Sequence, residues 1–544
     1  MDDTHPTTLN SIIHGVEAVA LAGKPMNVSD LPLEILDKIM FHLSKRAEKR
    51  NGGAMKVGVT FTPSADIKNV RLSCHILSAA ASRYLIDGLK VQVSQSSLSH
   101  LEEISEHPLI RHSVQGVELC LAQHDSIFDN GIQGLIQFVK SNKMLLDIAD
   151  YGNSHEMTRK ARYISACWNE FQMVLESAAD TLLGSFDEEI GAIQDIAGCI
   201  HHTGTLLEGF RQYRSRLHEQ TSLHQGGFVA RVSAAMAKLP SVEHLGITDW
   251  DTAALGRRPG EFDMRVYKID VSSDLSITNS LAGSRLPFDQ VRGTNLMSII
   301  PGLVCTGKNI ESLDIQISPS AVSYTELMFS TSQQAELRSG LKKLQSFKFD
   351  NYRAHIANLW NEADAIRPLG QFIDSCLISD NLECILINAK IRYYPNVARS
   401  LFSPRAWPKL KSVDLKDLPV SAADLDVLTK SLASNHPYGY LTLRAVRLYC
   451  GATWASILDM LRSRDLHVSL GMYQFGAEAE EDPALCEEVF SGLRWRYTRS
   501  FPSFAEYYVR GEDMKNPLLE RPDQDLCHRM FGQVLEHRLP LWEF

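Results

Sequence analysis

A six-residue phrase, apolar-x-x-apolar-x-apolar, recurs through the second half of this chain. It runs from Val242 to Ile247, Ile310 to Ile315, Leu344 to Phe349, Leu382 to Ile387, Leu410 to Leu415 and Leu443 to Leu448. In each copy the last two apolar residues have one residue between them, the spacing of side chains on one face of a strand. The first enters the core from the preceding turn. Helix-like stretches such as Ala422 to Leu432 and Trp454 to Leu461 lie between copies. From Phe349 onward the step is about thirty to forty residues, and a chain built this way buries its core by stacking each strand-helix unit on the next. Between Ile247 and Ile315 the step nearly doubles, across a polar stretch from Asp249 to Gly293.

In such an array the residue between the two inward positions, and the one just after, face outward on the sheet. This nominates Asp314, Gln316, Lys348, Asp350, Asp414, Lys416, Arg447 and Tyr449 as a mixed-charge surface for a protein or peptide. A doubly wound α/β enzyme domain would carry similar strands. The glycine-rich turn after the first strand, which a nucleotide-binding sheet normally shows, is absent.

Nearer the start, Leu89, Val91 and Val93 alternate with polar residues as a strand. Ser97 to Ile104 reads as a capped helix, and Val117, Leu119 and Leu121 as another strand. Long amphipathic stretches from Ser126 to Lys238 read as mostly helical. Ahead of these, Asp30, Pro32 and Glu34 mark a helix start, since proline suits the first turn and acidic groups favour its positive end. Ile35, Ile39 and Leu43 follow at a spacing of four, with Leu36 and Met40 beside them. Ile67, Val70, Cys74, Leu77, Ala81 and Tyr84 repeat that periodicity downstream. Between them, Lys45 to Ala65 is charged and then glycine-rich, which predicts a loop.

The opening Leu31-Pro32-x-Glu34-Ile35-Leu36, the ladder after it and the later Val70-Arg71-Leu72-Ser73-Cys74 resemble an F-box. F-boxes hand substrate receptors to a cullin RING ubiquitin ligase through the Skp adaptor. The resemblance implies adaptor contacts at Leu31, Pro32, Ile35, Leu36, Ile39 and Leu43. The six phrases resemble degenerate leucine-rich repeats, and an F-box followed by such units is similar to fungal F-box proteins. The expected fold is α/β with a mostly helical N-terminal part: a small F-box helical module, then an irregular leucine-rich-repeat-like solenoid. The expected division is a flexible N-terminus (1–25), the module (26–87) with an inserted loop (45–65), a strand-helix unit (88–125), a helical region (126–238), the solenoid (239–520) and a C-terminal tail (521–544). The implied function is a non-catalytic receptor subunit that binds a Skp-type adaptor, a cullin ligase and a protein target. A ligase-independent scaffold, or an enzyme whose site forms no sequence motif, are the competing readings.

Composition agrees with a folded chain. Of 544 residues, 44% are hydrophobic and 22% charged, enough to bury a large core. A net charge of -10 gives no general attraction for nucleic acid or an anionic membrane. The first residues lack a basic, apolar signal, and no stretch approaches a spanning helix. A cytoplasmic or nuclear protein is expected. The ten cysteines form no CxxC pair or framework, which predicts reduced and mostly buried thiols.

No cofactor or metal site is expected. Gly302 to Asn309 nearly matches a phosphate-binding loop, but Asn309 stands where a Ser or Thr hydroxyl would hold magnesium. The segment reads as a repeat connection. His201 and His202 lack further ligands at finger spacing. Glu478, Glu480, Glu481 and Asp482 read as a solvated acidic loop.

Overall fold

Apolar-x-apolar spacing becomes strand pairing in the computed structural model, which describes residues 31–49, 65–82, 84–121, 215–223, 225–248, 300, 302–304, 308–317, 329–351, 367–389, 402, 405–435, 439–448, 452–464, 466–470, 489, 504–511 and 515–519. The described residues fall into two compact units. One takes those up to Leu89 together with Glu103–Gly116 and Lys238–Ser241; the other takes the rest.

In the first unit, helix α1 spans Leu33–Lys49, α2 Ala65–Arg71 and α3 His75–Ser82. The Pro32 carbonyl accepts the amides of Ile35 at 3.0 Å and Leu36 at 3.1 Å, so the helix starts where the proline suggested. Helix α1 reaches Lys49, so the charged run from Lys45 to Lys49 is helical and not loop. Lys, Arg, Ala and Glu are strong helix formers, and the glycines come later. The downstream apolar periodicity is two helices instead of one. The break at Leu72 to Cys74 is closed by the Ser73 hydroxyl donating to the Asn69 carbonyl at 3.1 Å.

The second unit is mixed α/β and holds, except for the first residues of β1 and β2, a nine-stranded sheet of order β1-β2-β3-β4-β5-β6-β7-β9-β11. Its strands are β1 Gly88–Gln92, β2 Gly116–Cys120, β3 His244–Thr248, β4 Ser312–Ile317, β5 Ser346–Asn351, β6 Cys384–Asn388, β7 Ser412–Lys416, β9 Tyr440–Arg444 and β11 His467–Leu470. From β3 to β11 every neighbouring pair is parallel. Spatial order follows chain order throughout. The reversal that creates a ligand crevice in doubly wound sheets does not occur among the described strands.

Helices lie in the connections, α4 Gln95–Glu106, α5 Phe228–Lys238, α6 Thr331–Gly340, α7 Arg367–Cys376, α8 Ala422–Asn435 and α9 Trp454–Arg462, and α10 Phe504–Val509 follows β11. A capping box starts α6: the Ser330 hydroxyl accepts the Gln333 amide, and the Gln333 side chain accepts the Ser330 amide, satisfying two orphan donors. Register puts Leu313, Phe347, Ile385, Val413, Leu441 and Val468 in one inward row. All are buried. Helix α7 seats Phe372 against that face, 6.2 Å from Phe349 edge-on and 5.6 Å from Phe329 in a stack.

Strands β1 and β2, expected as a separate unit, belong to the same sheet as the repeats, and β11 extends it past the last expected phrase. The sixth phrase is displaced. Val413 pairs with Leu441 and Leu415 with Leu443, so the strand there is Tyr440–Arg444. Leu443-x-x-Val446-x-Leu448 fits the pattern because a second two-residue strand, β10 Arg447–Leu448, follows and pairs with β8 Pro419–Val420. Between these strands the chain turns through Asp417 at φ 51° and Ala445 at φ 50°.

Candidate functional site

Two surfaces hold the residues singled out from the sequence, one in each unit. In the helical unit, Leu36 and Met40 from α1, Ile67 from α2, and Ala80 and Ala81 from α3 form a closed core. Leu31, Leu43, Val70, Leu77, Tyr84 and Leu85 pack on it, half-buried. Of the six residues expected to meet an adaptor, Leu36 lies inside this core. Its side chain is 1% exposed, so the module's own packing takes it. Pro32 is exposed, and Leu31, Ile35, Ile39 and Leu43 are half-buried.

Among the described residues of helices α1 to α3 and the break between them, three large apolar groups are exposed. Leu72 is 84% exposed, and Phe41 and Ile76 are each 44% exposed. The four-residue ladder cannot find them, because Phe41 falls on the opposite side of α1 and Leu72 lies in the break between helices. Their signal was a large apolar residue off the periodic face.

In the sheet unit, the outward positions of the parallel strands form rows. Asp314, Lys348, Leu386, Asp414 and Thr442 are in register in one, and Gln316, Asp350, Asn388, Lys416 and Arg444 in the next. The nominated residues on β4, β5 and β7 therefore share one face. Lys348 Nζ lies 3.0 Å from Asp314 Oδ2. The Gln316 amide donates to the same carboxylate, and Asn388 Nδ2 donates to Asp350 Oδ1 at 2.7 Å. Arg444 reaches Asp414 at 3.6 Å. Burial raises the Asp414 pKa above the ordinary Asp value, while Arg444 and Lys416 pull the other way.

The third row holds His244, Ser312, Ser346, Cys384 and Ser412. Burial lowers the His244 pKa. It raises that of the Cys384 thiol, against hydrogen bonds from Ser412 and Ser346.

Arg447 is not on this face. It sits in β10 against Pro419, and Thr442 and Arg444 occupy the places its phrase implied. Tyr449 lies outside the described residues, as do His201, His202, Glu478, Glu480, Glu481 and Asp482. Lys308 and Asn309 lead directly into β4, where a phosphate loop would open a helix. Among the described residues, no group of three or more His, Cys, Asp or Glu is placed to hold a metal. No described helix is long and apolar enough to cross a membrane. The described cysteines Cys74, Cys120, Cys376 and Cys384 form no disulfide, and Cys120 and Cys376 are buried.

No protein-family model, curated protein or solved structure matches the chain.

Proposed function

We propose that this chain is the substrate receptor of a Skp/cullin/F-box ubiquitin ligase, its N-terminal helices docking on the Skp adaptor and its sheet presenting a protein target. One observation carries the docking step. A module that seals Leu36, Met40 and Ile67 leaves Leu72 84% exposed and Phe41 and Ile76 nearly half exposed. A unit this small has too little core to discard apolar area without a use for it. Covering Leu72 on a partner contributes roughly 1.5–3 kcal/mol before association costs. The half-buried Ile35 and Ile39 extend the same apolar character.

We read the sheet as a leucine-rich-repeat-like solenoid. Support comes from strand order that follows chain order and from inward rows that keep register from β3 to β11. Catalysis then belongs to the partners, and the receptor contributes proximity by raising the effective concentration of a target lysine near the charged ubiquitin carrier.

Co-purification tests the docking. The intact chain is expected to retain the Skp adaptor, and Leu72→Asp combined with Ile76→Asp to reduce retention about tenfold or more. Melting should change little, because Leu72 already faces water and Ile76 is nearly half exposed at the first turn of α3. An intact chain that fails to retain the adaptor while a control receptor succeeds refutes the docking and favours a scaffold outside the ligase.

A further inference from the structure

Among the described strands the sheet ends at β11, and an edge strand presents backbone groups that invite another strand to pair. The His467 amide donates to the Gly439 carbonyl at 3.0 Å, on the β9 side. Amides alternate along a strand, so those of Val468 and Leu470 point the other way, toward the outer edge. There a side chain stands in for a strand: Glu506 Oε1, on α10, accepts the Leu470 amide at 2.6 Å. Glu506 is 7% exposed, and Val468 and Leu470 are each 3% exposed. A carboxylate accepts hydrogen bonds and donates none, so the ladder stops where a further strand would extend it. Helix α9 holds α10 in place. Asp459 Oδ1 accepts the Tyr508 hydroxyl at 2.5 Å and Asn516 Nδ2 at 2.8 Å, and Asn516 Nδ2 also donates to the Ala455 carbonyl at 2.9 Å. The Arg462 guanidinium lies over the Tyr508 ring, 4.4 Å from its centroid.

We propose that α10 is an autoinhibitory contact against self-association: Glu506 blocks the edge of β11, along which a second copy of this chain would otherwise pair. This role does not depend on the receptor reading. The occupant follows from the edge itself. A twofold axis through Ser469, perpendicular to the sheet, sets Val468 of one copy opposite Leu470 of the other and joins them as antiparallel hydrogen-bonded pairs. It also keeps the faces matched. Val468 and Leu470 of both copies stay on the inward side, continuing the rows of Leu441 and Leu443 with which β11 already pairs. Ser469 meets Ser469 on the outward side. Self-pairing therefore needs only the release of the Leu470 amide from Glu506. A foreign strand would have to supply apolar residues at the same spacing to match that register.

The test follows the intact chain by sedimentation velocity over a wide concentration range, together with hydrogen exchange of the β11 amides. The wild type is expected to keep one oligomeric state throughout, with the Leu470 amide protected. Glu506→Ala should speed Leu470 exchange at low concentration by about tenfold or more and bring further association as concentration rises. Adding Ser469→Lys to Glu506→Ala should abolish that association while exchange stays fast, because two lysines then meet at the twofold axis. Circular dichroism should show each variant folded. If Glu506→Ala does not fold, Tyr508→Phe, which loosens α10 from Asp459 without altering the edge, takes its place with the same expectations. The guard is refuted if Leu470 exchange does not change, or if it quickens and no association follows. It is refuted equally if the association survives Ser469→Lys, or if the wild type itself associates with concentration and Ser469→Lys abolishes it.

Discussion

Arg231 and Glu102, 129 residues apart in the chain, are joined by two parallel hydrogen bonds of 2.8 Å, from Nε and Nη2 to the two carboxylate oxygens. The pair ties α5 to α4, and Gln95 Oε1 accepts a third bond from the same guanidinium at 3.1 Å. The carboxylate raises the Arg231 pKa above its ordinary value, mainly through these hydrogen bonds. Both side chains keep about a third of their surface in water, 33% and 37%, so solvent screens much of the attraction. A double-mutant cycle with Arg231→Met and Glu102→Gln should give a coupling of about 0.5–1 kcal/mol. Added salt should shrink it. A coupling indistinguishable from zero at low salt would remove the pair from any account of how these helices are held.

Phe372 supplies a larger stake. It is fully buried and meets both Phe349 on the sheet and Phe329 ahead of α6. Replacing it by alanine removes dispersion contacts on two sides and leaves a cavity, a loss of about 3–5 kcal/mol. Chemical denaturation should show a lower midpoint; a change under about 1 kcal/mol would mean that α7 does not pack as described.

Close approach makes Gly340 irreplaceable in its present geometry. A Cβ there would stand 1.8 Å from Val304 Cγ1 and 2.9 Å from the Val304 carbonyl oxygen. Because backbone lies behind the side chain, Gly340→Ala must push α6 off its neighbour, costing about 1–3 kcal/mol. Gly340→Ala combined with Val304→Ala should recover part of that loss. Thermal melts of both variants decide the point.

His244 makes stability depend on pH near neutrality. Burial lowers its folded-state pKa from the ordinary 6.5, with Lys348 adding to the shift and Asp314 opposing it. Below 6.5 the unfolded chain takes up a proton that the folded imidazole refuses, so this contribution is complete above that value and declines as pH falls toward the lowered one. Between about pH 7 and pH 5 the wild-type denaturation midpoint should drop more than that of His244→Gln. Parallel curves for the two proteins would show that His244 is protonated equally in both states.

Ala445 adopts φ 50° with its side chain buried. A β-branched residue is strongly disfavoured there, so Ala445→Val should destabilise by about 2 kcal/mol or more. Ala445→Gly should be nearly neutral, since relief of the backbone offsets the lost methyl. Comparable losses for both variants would point to packing instead of backbone conformation.

Five of the six apolar phrases lie in the strands as read, because alternation along a strand is a local property: Leu313 and Ile315, or Ile385 and Ile387, carry it within a few residues. The sixth phrase misled for the same reason. Leu443, Val446 and Leu448 satisfy the spacing, but only pairing with Val413 and Leu415 shows that Leu441 and Leu443 are the inward residues. Hence the spacing points to Arg447 and Tyr449 where pairing puts Thr442 and Arg444. The strand at Val468 and Leu470 was too short to stand out, and its place became clear only beside β9.

Residue order was sufficient to establish the class of structure, the helical start at Pro32 and the alternating polar face, since each depends on conformational preference and on neighbours a few positions away. Which apolar side chains stay in water was decided by the assembled chain. Leu36 and Leu72 are indistinguishable as leucines, yet one is enclosed by α2 and α3 and the other left outside. Burial is a sum over contacts from distant segments, and no local pattern contains that sum.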